Sequence, residues 1–138
     1  MVANANPIYS RTPDMQWGTT ALTTANTAKD GTGTVLTVFT ADATEGGFCG
    51  TLVARAAGTN VATVLRVFIN NGGANSTPAN NILRYELTLP ATTLSEVAQL
   101  APYEIPLNIA INAGYKINCT IGTTVAAGYY ISVNGGKY

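Results

Sequence analysis

From residue 81 onward, apolar and polar positions alternate with a period of two. In 81–89, Leu83, Tyr85, Leu87 and Leu89 fall on one side, and Arg84, Glu86 and Thr88 on the other. In 103–111, Tyr103, Ile105, Leu107, Ile109 and Ile111 alternate with Glu104, Pro106, Asn108 and Ala110. Tyr115, Ile117, Cys119 and Ile121 form a third such row, and Tyr129, Ile131 and Val133 a fourth. A helix would scatter each set around its circumference, whereas a strand gathers it on one face, so the four segments are predicted strands. Three earlier runs, 34–41, 47–56 and 60–70, are apolar on both sides. In the last of them Val61, Thr63, Leu65, Val67 and Ile69 share a face, while Val64 and Phe68 flank Arg66 opposite. Such runs suit central strands, or strands whose outer face meets a partner. A weakly patterned strand over 19–27 brings the expected total to about eight.

The punctuation between these runs has a physical basis. Asp30-Gly31 and Gly33 supply the positive φ of a tight hairpin reversal, and Gly46-Gly47, Gly58 and Gly114 do similar work. The longest polar loop spans 70–81. Pro90 ends a strand, and Thr93-Leu94-Ser95-Glu96 fits a capping box that would open one helical turn through Val97 and Ala98. Pro106, unable to donate a ladder hydrogen bond, belongs on a sheet edge or where its missing N–H faces solvent. Residues 1–16, with Pro7 and Pro13 and no sustained period, read as an extended N-terminal arm, and 17–138 as a single all-β domain. About eight antiparallel strands in one domain of this size make a two-sheet jelly roll the leading architecture. An immunoglobulin-like sandwich comes second, since the Cys…Trp…Cys framework is missing. The expected core includes Leu65, Val67, Leu87, Leu107, Ile109, Ile117 and Ile131.

Composition narrows the functional classes. A chain of 138 residues buries roughly two-thirds of its unfolded surface without needing disulfides or metals. Charged residues make up 10%, against about 25% in an average domain, so the polar surface is built from Thr, Asn, Ser and Gly. Seven basic and seven acidic residues cancel without forming runs. That disfavours the basic patch that nucleic acid or an anionic membrane surface demands. No stretch approaches the roughly 20 apolar residues of a membrane span, and the first residues lack the pattern of a signal peptide. Synthesis in a reducing cytoplasm is therefore expected, with Cys49 and Cys119 as free thiols.

The chemistry-bearing residues are few. With no histidine, Ser–His and Cys–His nucleophile pairs are excluded, and two cysteines alone fall short of a zinc site. Asp42 and Glu45 share a Gly-flanked loop but supply far fewer than the six to eight oxygens calcium takes. Asp30-Gly31-Thr32-Gly33-Thr34 lacks the Gly-Lys-Ser/Thr of a phosphate loop and leads into a strand. Asn75 and Asn118 match the glycosylation sequon, by chance in a chain that is not secreted. Trp17 and the Tyr129–Tyr130 pair could stack on sugars, but adjacent strand residues face opposite ways and make no shared platform. No catalytic, cofactor-binding or metal-ligating residue is expected. The expected contact residues are instead apolar ones on the arm, Ile8, Tyr9, Met15 and Trp17, which are too few for a core of their own. The alternative for Trp17 is that it plugs one end of the sandwich.

The blocks VLRVFINNG (64–72), ELTLPATTLSE (86–96), PLNIAINAGYKI (106–117) and AAGYYISVNGGKY (126–138) resemble small β-rich structural proteins of tailed bacteriophages. The resemblance spans about residues 30 to 138. It implies a jelly-roll virion protein, with capsid decoration or cement as the role. Such a subunit would sit on the outer capsid surface, bridge major capsid proteins, and form a homo-oligomer, dimer or trimer. A tail- or fibre-associated receptor- or carbohydrate-binding module is the alternative, with exposed aromatics expected near loops 70–81 or 122–128. A bacterial adhesin or pilin-like subunit would need a secretion signal.

Overall fold

The computed structural model describes residues 10–138. Nine strands lie in them: β1 (Thr12–Pro13), β2 (Gln16–Trp17), β3 (Leu36–Thr40), β4 (Gly47–Ala56), β5 (Thr63–Asn70), β6 (Asn81–Leu89), β7 (Tyr103–Ile111), β8 (Lys116–Ile121) and β9 (Tyr129–Lys137). A single 3-10 turn at Pro78–Asn80 precedes β6, and there is no α-helix among the described residues. The strands form two antiparallel sheets. One runs β1-β9-β4-β7, with β2 also on β9, and the other runs β3-β8-β5-β6.

The order has a simple logic. β5 and β6 form a hairpin, and around it β4 pairs β7, β3 pairs β8, and β1 and β2 pair β9. The chain is thus one long folded-over hairpin whose successive rungs fall alternately in the two sheets. The β4–β9 and β5–β8 ladders then join the rungs side by side. This is the jelly roll expected from the strand pattern.

The period-two rows become the core. Leu65, Val67, Leu107, Ile117 and Ile131 are buried between the sheets, and Leu87 and Ile109 pack half-buried against them. Phe39, Leu52 and Tyr129 are fully enclosed as well. The apolar-on-both-faces run in β5 has its own reason. Phe68 is fully buried but lies outside the main core cluster, next to a register shift where β5 meets β6. Pro106 falls on β7, the outermost strand of its sheet, as its missing N–H requires.

Three local expectations are corrected. Residues 19–27 form no strand and make only isolated bridges, Leu22 to Tyr129 and Ala25 to Ile121. With no strand before it, the Asp30–Gly33 reversal is not a hairpin. It is a loop bend with positive φ at Gly31 and Gly33, held by the Asn26 side chain on the Thr32 and Thr34 carbonyls. The helical turn over 93–98 is absent. The Leu94 amide donates to the Thr59 hydroxyl and the Val97 amide to Ser95 Oγ, which takes up the backbone donors a first turn would need.

Of the expected arm, residues 1–9 lie outside the described residues, while 12–13 and 16–17 run along β9 as the outer strand of their sheet. The Arg11 and Asp14 amides donate to the Lys137 and Gly135 carbonyls.

Candidate functional site

The two outer faces of the sandwich differ. Over the β3-β8-β5-β6 sheet, asparagine side chains tie the chain's own loops together. Asn75 Nδ2 donates to the Gly33 carbonyl at 2.8 Å, Asn81 Nδ2 to the Asn75 carbonyl at 2.8 Å, and Asn70 Nδ2 to Asn81 Oδ1 at 2.8 Å. Asn118, buried on the same sheet, accepts the Thr37 hydroxyl. Its sequon is therefore closed to modification in the folded chain.

The β1-β9-β4-β7 sheet carries no comparable cover over one stretch. Residues 130, 132 and 134 of β9 point outward, opposite the buried Tyr129, Ile131 and Val133. Pairing then sets the neighbours. Trp17, Ser132 and Val53 lie in one cross-strand row that continues to Glu104, and Tyr130 and Arg55 lie side by side in the next. Ser132 is small and sits between larger neighbours, so the surface sinks there. The result is a mainly apolar groove of about 500 Å³, bordered by Met15, Trp17, Val53, Arg55 and Tyr130. Met15, Trp17 and Tyr130 are each exposed by 60% or more, although large apolar side chains gain from being covered.

Of the four arm residues expected to make contact, Met15 and Trp17 thus come together, while Ile8 and Tyr9 lie outside the described residues. Two readings are corrected. Trp17, 63% exposed, does not plug the sandwich. Leu22 and Val125 are buried in its stead, with the Leu22 amide on the Tyr129 carbonyl and the Val125 amide on the Thr23 carbonyl. Secondly, Tyr129 and Tyr130 do face opposite ways, yet Trp17 and Tyr130 share one groove. A shared aromatic surface therefore exists; Tyr130 lies two residues beyond loop 122–128, and the Ala57 amide at the groove donates to the Gly128 carbonyl. Tyr130, Arg55 and Val53 were missed as site residues because Trp17 reaches them through the β2–β9 and β9–β4 ladders, which sequence spacing does not encode.

The other candidate sites resolve into structural roles. Asp42 Oδ1 accepts the Thr44 and Glu45 amides, and these bonds, Glu45's first, hold its carboxyl below the usual range. Glu45 pairs with Arg11. Both carboxylates are thus engaged in shaping their turn. Among the described residues no group of three or more acidic, Cys or His side chains could hold a metal ion. Cys49 and Cys119 are free, buried and on different sheets. Burial pushes the Cys49 thiol up to about 12 and the Cys119 thiol up as well, the opposite of nucleophile activation. Among the described residues no helix is long and apolar enough to cross a membrane. Comparison with protein-family models, curated proteins and solved structures finds no match.

Proposed function

We propose that this protein is a structural subunit of a tailed-phage virion, a capsid decoration or cement protein that binds the outer capsid surface and bridges major capsid proteins. The observation that carries the reading is the Met15–Trp17–Tyr130 groove on an otherwise charge-poor jelly roll. Exposed aromatic anchors beside one arginine are the composition of a protein-contact hot spot. With 10% of its residues charged, the chain makes contacts that salt hardly weakens. The reading takes its particle from the resemblance expected for residues 30 to 138 and its contact from the groove.

The test is binding to capsids that lack the native protein. Trp17→Ala and Tyr130→Ala should fold normally, since both side chains are exposed. Each should weaken binding by about 2 kcal/mol, near thirtyfold. Undiminished binding by both would remove the groove from the contact. Hundreds of copies per particle support decoration, whereas a few to a few dozen move the protein to the tail.

The Trp17–Tyr130 pair also favours a second reading, a tail- or fibre-associated carbohydrate-binding module, because aromatic faces stack on sugar rings. Glycan-array binding abolished by Trp17→Ala, with capsid binding unchanged, would select it.

A further inference from the structure

The chain's own loops cover part of the outer face of the β3-β8-β5-β6 sheet, and a polar cleft of about 160 Å³ opens in that cover. Strand register builds its floor. Thr37 on β3 lies opposite Asn118 on β8, and Lys116, two residues back on the same face, lies opposite Asn70 on β5. Gly73 and Asn75 border the cleft from the loop that follows β5.

Three asparagines line this cleft, and two of them are spent on the chain itself. Asn70 donates to Asn81 Oδ1 and accepts the Gly72 amide, each at 2.8 Å, and Asn75 Nδ2 donates to the Gly33 carbonyl. Asn118 differs. It is 3% exposed, and its Oδ1 accepts the Thr37 hydroxyl at 2.8 Å, yet its Nδ2 donates to nothing among the described residues. Enclosed donors are nearly always satisfied, so an open one marks a place where the acceptor comes from outside the chain. Water can serve a neutral donor. Lys116 decides against water alone, because it lines the same cleft half-buried and has no acidic partner among the described residues. No acidic residue lines the cleft either. A cation beside an open N–H favours an acceptor that carries negative charge.

We propose that this cleft binds one carboxylate group, held between Asn118 Nδ2 and Lys116 Nζ. One cation matches one negative charge, which favours a carboxylate over a doubly charged phosphate. Two sources present that chemistry: a small organic acid in solution, and an acidic side chain on a partner protein. The cleft lies on the sheet opposite the Met15–Trp17–Tyr130 groove, so the site stands whatever the groove binds.

Nuclear magnetic resonance of the full chain tests it. Sodium acetate should shift the Asn118 side-chain amide and the Gly73 and Asn75 backbone amides saturably, with a dissociation constant of about 10 mM or tighter. Sodium chloride at equal ionic strength should not. Lys116→Met keeps the stem, drops the charge and should weaken binding about tenfold, whereas Lys116→Arg should retain it. Asn118→Leu should abolish the shifts at Gly73 and Asn75; if that variant fails to fold, the two Lys116 variants decide alone. A capped Gly-Glu-Gly peptide, set against its Gly-Gln-Gly counterpart, separates the sources. Binding by the Glu peptide assigns the site to a partner's side chain, and binding by acetate alone assigns it to a free acid. The proposal is overturned if neither acetate nor the Glu peptide gives a saturable shift, or if Lys116→Met binds as wild type does. Equal binding of the Glu and Gln peptides, with none of acetate, overturns it as well.

Discussion

The Gln16 carboxamide and the Thr40 backbone form a two-way hydrogen bond: Nε2 donates to the Thr40 carbonyl at 2.8 Å, and Oε1 accepts the Thr40 amide at 2.9 Å. One side chain of the first sheet thus imitates a neighbouring strand for the edge of the second. On the opposite flank the Tyr85 hydroxyl donates to the Leu107 carbonyl at 3.3 Å, joining β6 to β7.

Gln16→Ala leaves both Thr40 groups without that partner. Water reaches this edge, so the expected loss is about 1–2 kcal/mol of unfolding free energy, measured by denaturant titration. Gln16→Glu keeps the acceptor but sets a carboxylate against the Thr40 carbonyl and the Asp14 carboxylate, both of which Nε2 reaches, and should cost at least as much at neutral pH. Wild-type stability in both variants would show that the bridge contributes nothing.

Asn60 is the larger test of polar packing. It is buried; its Nδ2 donates to the Gly128 carbonyl at 2.9 Å, and its Oδ1 accepts the Ala127 and Gly128 amides at 2.8 and 2.9 Å. Its own amide donates to the Thr92 carbonyl, which brings three loops to one residue. Asn60→Ala strands the Ala127 and Gly128 amides, while the Gly128 carbonyl keeps the Ala57 amide, and should cost about 3 kcal/mol. Asn60→Asp, lacking the donor and adding charge, should be no better at neutral pH.

Asn108 sits where the β4–β7 register shifts, with Cys49 opposite Ile109 and Thr51 opposite Pro106. Its positive φ is tolerated by Asn and Gly and resisted by branched side chains. Asn108→Gly should therefore hold stability near wild type, and Asn108→Val should lower it by about 1–2 kcal/mol. Equal melting temperatures for the two variants would contradict the bulge geometry.

The cysteines give a reactivity and a pH prediction. Native protein at pH 8 should resist a thiol reagent, and unreduced, denatured protein should release two thiols. Titrating none would mean a disulfide. Burial raises both native thiol pKa values above the ordinary 9.0, Cys49 to about 12, so the fold favours the neutral thiols. This contribution is complete below pH 9 and is lost as pH climbs toward 12, so stability should decline over that window. Serine at both positions should flatten that decline.

Strand identity was legible where side chains alternate strictly, as in β6 to β9, because burial on one face imposes that period. The Thr93–Glu96 capping box misled because the Leu94 amide turns to Thr59 and Ser95 Oγ takes the Val97 amide, and 19–27 misled because Thr and Ala there have little to bury. The site was half legible. Met15 and Trp17 stood out as apolar residues in a polar lead-in, but Tyr130 and Arg55 join them only through pairing between segments more than a hundred residues apart and a central strand. Alternation reveals which face a residue takes and nothing about which strand lies beside it.

The folded-over hairpin also fixes an order of assembly. β5–β6 can form from neighbouring chain, but every other rung must wait for a more distant segment, ending with Thr12 against Lys137. Until β9 arrives, the sheet it belongs to exists as two unconnected parts, β4 with β7 on one side and the Thr12–Trp17 segment on the other. Such non-local closure is slow, on the order of milliseconds to seconds. During that interval the inner edge of β4 is open to any matching strand, and at high concentration the β9 of another chain competes with the chain's own. Refolding yield should therefore fall with protein concentration, through chains that have traded their final strand.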